Sequence, residues 1–181
     1  MDLDLLTVTA LIVLGASTGF LAGLLGIGGG MSMVPFMTML FSAKGVEVDL
    51  VVKVAIATSL ATILFTSLSS ARAHFKKGAV DMTILKPMGL GALLGTFLGA
   101  NFAGMLKGTV LAAVFAAFVG YSALSMLRGK KPKPGRETPS TRGLGLVGSG
   151  IGFISALLGA GGGFITVPFL TWCNVKLHTA V

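Results

Sequence analysis

The sequence predicts an all-α fold, a polytopic bundle of transmembrane helices with two related repeats and helices broken at glycines. Apolar residues make up 54% of the 181-residue chain and charged residues only 11%, whereas soluble domains carry about 25% charged residues. Several apolar stretches approach the roughly 20 residues that a helix needs to cross a bilayer. A glycine-rich block also occurs twice, which indicates an internal duplication.

The two glycine-rich blocks align at a constant offset of 133 residues, the first at residues 15–36 and the second at 148–169. Each block contains Leu-Leu-Gly, then three consecutive glycines, then Val-Pro-Phe. In duplicated membrane proteins, substrates commonly bind where the broken helices of the two halves meet. We therefore expect the two blocks to build one site.

Three consecutive glycines weaken a helix by about 1 kcal/mol each relative to alanine. At membrane depth the freed N–H and C=O groups need partners, so such breaks persist within protein or beside a water-filled cavity. A break of this kind exposes the positive end of a half-helix, which binds anions. The alternative is a close helix crossing that needs residues without bulk, and the matched pair of blocks favours the site. A nucleotide-binding loop is excluded because no strand precedes the glycines.

The predicted elements follow the chain in order. The first helix covers residues 5–26, is interrupted at 28–30, and resumes as a half-helix or re-entrant piece at 33–41 with Pro35 in its first turn. A polar connection follows at 44–53. The later predicted helices cover residues 51–71, 81–105 and 108–127, and the segment that contains His74 is expected to be a short polar break.

Three regions are expected along the chain: a first transmembrane repeat at 1–128, a basic cytoplasmic loop at 129–142, and the start of a second repeat at 143–181, which looks truncated. Basic residues concentrate at 128–142 and 72–77, beside apolar spans, which is the positive-inside pattern. Both basic segments are therefore expected on the cytoplasmic side. The side of the N-terminus, and whether the repeats are parallel or inverted, stay open.

The net charge of +8 does not indicate a nucleic-acid partner, because the basic loop lacks interleaved aromatic residues. Cys173 is the single cysteine, and no metal-ligand spacing or catalytic set is present. We therefore predict no enzyme activity, no cofactor and no metal.

Small residues recur every four positions, a pattern that lets membrane helices approach closely. The four sets are Gly15/Gly19/Gly23, Gly91/Gly95/Gly99, Ala112/Ala116/Gly120 and Gly148/Gly152/Ala156. They predict a tightly packed bundle. Thr58, Thr62 and Thr66 form a hydroxyl stripe at helical spacing, and we expect most of these hydroxyls to bond to helix carbonyls.

The sequence resembles the sulfite exporter TauE/SafE family of membrane permeases. The resemblance lies in the two blocks, in Ala55-Ile-Ala-Thr-Ser59, and in the basic, histidine-containing segment from Arg72 to Asp81. It implies a multi-pass transporter of the cell membrane that moves sulfite, sulfonates or related organosulfur anions between two helical halves. A non-transporting scaffold and a passive anion channel are the alternatives.

The expected partners are the lipid bilayer and a small anionic substrate, with a coupling ion (proton or sodium) and a homo-oligomer left open. The predicted mechanism is alternating access at the interface of the repeats. There, backbone N–H groups and hydroxyls replace the water molecules that hydrate the anion. The predicted binding residues are Gly28, Gly29, Gly30, Ser32, Thr58, Ser59, Gly161, Gly162, Gly163 and Thr166.

Overall fold

The computed structural model describes residues 5–25, 29–76, 78, 80–127 and 139–173. Within these ranges the chain forms α-helices joined by short connections, and it has no strand. The all-α prediction is confirmed. The helices are α1 (Leu5–Leu25), α2 (Gly29–Ala43), α3 (Val48–Lys76), α4 (Met82–Met105), α5 (Gly108–Leu127), α6 (Thr141–Leu158) and α7 (Gly163–Trp172).

Local capping chemistry sets several helix ends. Asp81 caps α4 by accepting a hydrogen bond from the Thr83 backbone N–H at 2.9 Å. Ser140 caps α6 in the same way, accepting from the Gly143 N–H at 3.4 Å. The end of α6 falls at Gly159, whose φ of 64° lies in the left-handed region that glycine adopts without steric penalty.

Within the described residues, three helices, α3, α4 and α6, are long and apolar enough to cross a membrane. Many of their large apolar side chains face outward: Phe65 on α3 is 74% exposed and Leu93 on α4 is 70% exposed. A surface of this kind suits contact with lipid rather than with water.

Glycines allow α4 and α6 to pack backbone against backbone. A Cβ added to Gly95 would lie 2.6 Å from the carbonyl carbon of Ser149. A Cβ added to Gly152 would lie 2.9 Å from the carbonyl carbon of Ala92. The predicted small-residue sets on α4 and α6 thus meet in one interface. Gly15, Gly19 and Gly120 have nothing within 4 Å of an added Cβ, so those positions make no close contact with the described residues.

The contacts between α4 and α6 show that the two helices run parallel. Gly148 packs on Met88 and Gly152 on Ala92, so both residue numbers rise together along the interface. The N-terminal ends of α4 and α6 therefore lie on one side of the bundle. We call this the basic side, since α4 follows the basic segment 72–77 and α6 follows the basic segment 129–142.

The helices that follow the two glycine blocks, α2 and α7, point in opposite directions. The start of α2, at Gly30, packs on Ile63 in the middle of α3. A short connection joins the other end of α2 to the start of α3. Helix α2 is thus antiparallel to α3. Because α3 ends on the basic side, α2 points away from that side.

Helix α7 turns back after α6 and contacts it through side chains. Its first turn lies on Ile151, where an added Gly162 Cβ would be 3.1 Å from Cγ2, while Leu170 packs with Met88 near the start of α4, beside Val147 of α6. Helix α7 therefore points toward the basic side. Helices α2 and α7, each of which follows one glycine-rich sequence, therefore point to opposite sides of the bundle.

Two predicted boundaries, at Pro35 and at His74, differ from the observed ones. Pro35 lies inside α2 rather than in its first turn, because the helix already begins at Gly29. Helix α3 continues through His74 to Lys76 where a polar break was expected, because basic side chains in a last turn favour the negative helix end. In the second block α6 stops at Leu158, ahead of the three glycines.

The α4–α6 packing yields a stability prediction. Gly152→Ala should destabilise the protein by about 1–3 kcal/mol, because the new methyl group overlaps the α4 backbone. Gly150→Ala, on the same helix with open space around its Cβ, should leave stability unchanged or raise it, since alanine favours helix. Thermal unfolding of both purified variants in detergent compares them, and equal midpoints would contradict the packing argument.

Candidate functional site

The two glycine blocks meet where α2 begins and α6 ends. A Cβ added to Gly30 would lie 2.8 Å from Ala160 Cα, and closer still to the Gly159 carbonyl oxygen. It would also lie 2.9 Å from Ile63 Cδ1. Only glycine fits here, because the backbone of the first block lies directly against the backbone of the second.

Ser59 of α3 holds the end of α6 in place. Its hydroxyl donates a 2.8 Å hydrogen bond to the Gly159 carbonyl, and the Ser59 side chain is completely buried. The carbonyls of a last helical turn lack intrahelical partners, and a buried carbonyl without a partner is costly. Ser59 therefore stabilises the interruption after α6 from the other half of the molecule.

Further hydroxyls support the short segment between α6 and α7. Ser155 Oγ donates to the Ala160 carbonyl at 2.5 Å. The Gly162 carbonyl accepts two hydrogen bonds from Thr166, one from Oγ1 at 2.8 Å and one from the backbone N–H at 2.9 Å. These bonds fix the direction in which α7 starts.

The N-terminus of α7 is open. Gly162 is its N-cap residue, and no side chain makes a capping hydrogen bond there. Gly163 is exposed, and an added Cβ would have nothing from the described residues within 4 Å. The first N–H groups of a helix lack intrahelical partners and carry the positive end of its dipole, so this terminus can receive an anion.

The start of α2 lies beside the same junction. Ile63 contacts both blocks: its Cδ1 lies beside Gly30, and its Cγ2 would be 3.7 Å from a Cβ on Gly161. Gly29 is the first residue of α2, while Gly28 lies outside the described residues. Two positive helix ends are thus brought close together, which favours a negative charge between them.

The predicted hydroxyl residues occupy different environments. Thr58 bonds to the Val54 carbonyl of its own helix at 2.8 Å, and Ser32 is half-buried on α2. A hydroxyl has one donor hydrogen, and those of Thr58, Ser59 and Thr166 are used on carbonyls. Among the described residues predicted to bind the anion, the donors left are backbone N–H groups and the Ser32 hydroxyl.

Thr166 also lines a cavity of about 420 Å³ that extends toward the basic side between α3, α4, α6 and α7. His74 and Asp81 line it as well. Two hydrogen bonds from Thr83, through its hydroxyl and its backbone N–H, lower the pKa of Asp81. Asp81 is therefore ionised at neutral pH.

Several of these residues escaped the sequence analysis. Ser155 and Ala160 lie in the second block but were not singled out there, and Ile63 belongs to no motif. Only the folded structure brings these three residues to the junction. The cavity had a weaker sequence signal, because Ser67, Ser70 and His74 recur at helical spacing on α3. Within the part of the chain that the structure describes, no three His, Cys, Asp or Glu side chains are grouped to hold a metal.

Comparisons with known proteins agree with the membrane architecture. The family model described as "Sulfite exporter TauE/SafE" matches residues 11–181. A "Probable membrane transporter protein" of Haemophilus influenzae is 36% identical over 172 residues, which cover 94% of this chain and 65% of that protein. No solved structure matches the chain.

More distant relatives bear similar names. The "Probable membrane transporter protein YunE" of Bacillus subtilis is 29% identical over 87% of this chain and 65% of its own length. The "Probable membrane transporter protein MJ0441" of Methanocaldococcus jannaschii is 28% identical over 98% of this chain and 66% of its own length. The chain thus spans about two thirds of the length of these relatives.

The junction predicts unequal roles for two neighbouring hydroxyls. Ser59→Ala should destabilise the protein by about 1–3 kcal/mol, because it leaves the buried Gly159 carbonyl unpaired. Thr58→Val, which removes only a bond within α3, should cost less. Thermal unfolding in detergent measures both variants. A larger loss for Thr58→Val would show that the bond to Gly159 does not stabilise the junction.

Proposed function

We propose that this chain, which belongs to the sulfite exporter TauE/SafE family, forms part of a secondary transporter for small anions in the cell membrane. The proposed substrates are sulfite, sulfonates or related organosulfur anions. The observation that carries the proposal is the open N-terminus of α7 beside the junction of the two glycine blocks. It offers an anion N–H groups without a side-chain cap, close to the buried Ala160 of the junction.

The proposed site is built from backbone. The N–H groups at residues 161–163 bind the anion from α7, and those at residues 28–30 do so from α2. Ser59 and Thr166 position these segments through their bonds to the Gly159 and Gly162 carbonyls. Thr58 and Ser32 flank the site on α3 and α2. Glycine suits the binding positions, since its lack of a side chain lets the anion reach the backbone.

Opposite helix directions support alternating access as the mechanism. Helices α2 and α7 follow equivalent glycine blocks and point to opposite sides of the bundle. Repeats of inverted orientation place a midplane site between two bodies that can rock against each other, which exposes the site to one side at a time. Coupling to a proton or sodium gradient would drive the anion against its own concentration gradient. A passive channel would conduct the anion independently of a proton or sodium gradient.

A charge placed at Gly163 tests the site separately from packing. Gly163→Asp should abolish flux of sulfite and methanesulfonate, because its carboxylate occupies the positive end of α7. It should not lower stability, since an acidic residue at a helix N-terminus is favourable by about 0.3–1 kcal/mol. The matched variant Gly163→Asn has similar size without the charge and should retain flux. Flux is measured in proteoliposomes that contain the complete protein.

These variants also distinguish a transporter from a scaffold. A scaffold would give no anion flux above protein-free liposomes, even for the unmodified protein. If Gly163→Asp transports as well as Gly163→Asn, the α7 terminus is not the binding site. If both variants unfold early, the glycine serves packing, contrary to the open space around it.

A further inference from the structure

We propose that the cavity between α3, α4, α6 and α7 holds an acyl chain of a membrane phospholipid whose amine-bearing head group lies at Asp81. The lipid that fits this description is phosphatidylethanolamine. Its site is separate from the anion site proposed at the glycine junction. The inference goes beyond the proposed function and does not depend on transport.

The depth of the cavity matches one leaflet of a bilayer. Its α4 wall runs from Asp81, the N-cap residue, to Ala92, a span of roughly 16 Å at 1.5 Å per residue. Asp81 follows the basic segment 72–77 at the start of a membrane span. Half of the hydrocarbon core of a bilayer is about 15 Å thick. The cavity therefore runs from the membrane surface to about the midplane, which is the depth that an acyl chain of that leaflet occupies.

The inner walls of the cavity suit a hydrocarbon chain. Met88, Ile151 and Leu170 line the cavity and form a buried, packed cluster. The hydroxyls of Ser67 and Thr166 also line it, but each donates its hydrogen to a nearby backbone carbonyl. A polar group placed there would lose its hydration without gaining a donor. A hydrocarbon chain fills the same space with van der Waals contacts.

The cavity opens sideways toward the lipid. Helices α3 and α4 are consecutive in the chain but pack little against each other, and the cavity lies in the gap between them. Two large apolar side chains on its rim, Phe75 of α3 and Leu85 of α4, are 49% and 45% exposed within the described residues. A rim of this kind contacts hydrocarbon in a membrane, so the chain of a neighbouring lipid can enter the cavity from the side.

Polar groups without partners lie at the mouth of the cavity, on the basic side. The Asp81 carboxylate is ionised, and both hydrogen bonds from Thr83 reach its Oδ1 atom. Its Oδ2 atom accepts no hydrogen bond from the described residues, and no described cation pairs with it. Ser70 and His74 line the same end from the last two turns of α3, and their side chains make no hydrogen bond within the described part of the chain.

A phosphoethanolamine head group complements this mouth. Its ammonium group donates to the Asp81 carboxylate, and its phosphate accepts hydrogen bonds from Ser70 and His74. Phosphatidylglycerol carries the phosphate but lacks the ammonium group, so the ionised Asp81 disfavours it. The head group is therefore held at the membrane surface while the acyl chain extends past Met88 toward the midplane.

Three variants of the complete protein test the lipid site. Gly89 lines the cavity and an added Cβ there has nothing within 4 Å, so Gly89→Leu occupies the acyl-chain space without overlapping the described protein. Gly104→Leu is its control on the same helix, because Gly104 also has open surroundings and does not line the cavity. Asp81→Asn removes the charge and keeps the helix cap, since asparagine caps helices as well as aspartate does.

Lipid binding to each purified protein is counted by native mass spectrometry. Phosphatidylethanolamine and phosphatidylglycerol with identical acyl chains are added at equal concentrations, and thermal unfolding of each variant is measured alongside.

The unmodified protein and Gly104→Leu should retain one phosphatidylethanolamine, about two- to fivefold more readily than phosphatidylglycerol, the preference expected for a solvent-accessible charge pair. Gly89→Leu should lose this lipid, and Asp81→Asn should keep a lipid but lose the preference. The proposal is overturned if Gly89→Leu and Gly104→Leu retain lipid equally, or if Asp81→Asn keeps the preference. A lower thermal midpoint for Gly89→Leu alone, with lipid retention unchanged, would overturn it by showing that other parts of the complete chain fill the cavity.

Discussion

A helix that ends inside a membrane protein needs partners for its last carbonyl groups, and the structure depends on how this need is met after α6. The Gly159 carbonyl accepts the buried Ser59 hydroxyl, and the left-handed conformation of Gly159 turns the chain away. Gly30 then lies directly against Gly159 and Ala160. Because of these contacts α7 starts at a defined place, with its N–H groups free of any side-chain cap.

Glycine serves two different purposes in this chain. Along α4 and α6, Gly95 and Gly152 let two continuous helices touch, and their backbone groups remain in helical hydrogen bonds. At the junction, Gly30 and Gly159 let interrupted segments meet, and hydroxyl groups satisfy the carbonyls that the interruption frees. The first use accounts for packing alone, whereas the second leads to the uncapped N-terminus of α7, where we propose that an anion binds.

The sequence predicted the helical class, the long apolar spans and the residues that pack α4 on α6, since these follow from composition and four-residue spacing. It also singled out Ser59, but not the bond to Gly159, because that contact joins residues 100 positions apart. The placement of Pro35 was wrong for a local reason: glycines packed against a neighbouring backbone can be helical, so α2 starts early. The opposite directions of α2 and α7 depend on tertiary contacts that no local pattern records.

The central claim is that the two glycine blocks form one junction, and a cross-link from Ile63, which contacts both blocks, to the second block tests it most directly. The Ile63 side chain reaches the second block, with Cγ2, roughly the place of a cysteine sulfur at that position, 3.7 Å from a Cβ on Gly161. In a Cys173→Ala background of the complete protein, Ile63→Cys with Gly161→Cys should form a disulfide rapidly under mild oxidation. Ile63→Cys with Gly150→Cys should not, because Gly150 lies in the middle of α6 and a Cβ added there has nothing within 4 Å. Absence of the first cross-link, or equal formation of both, would contradict the junction.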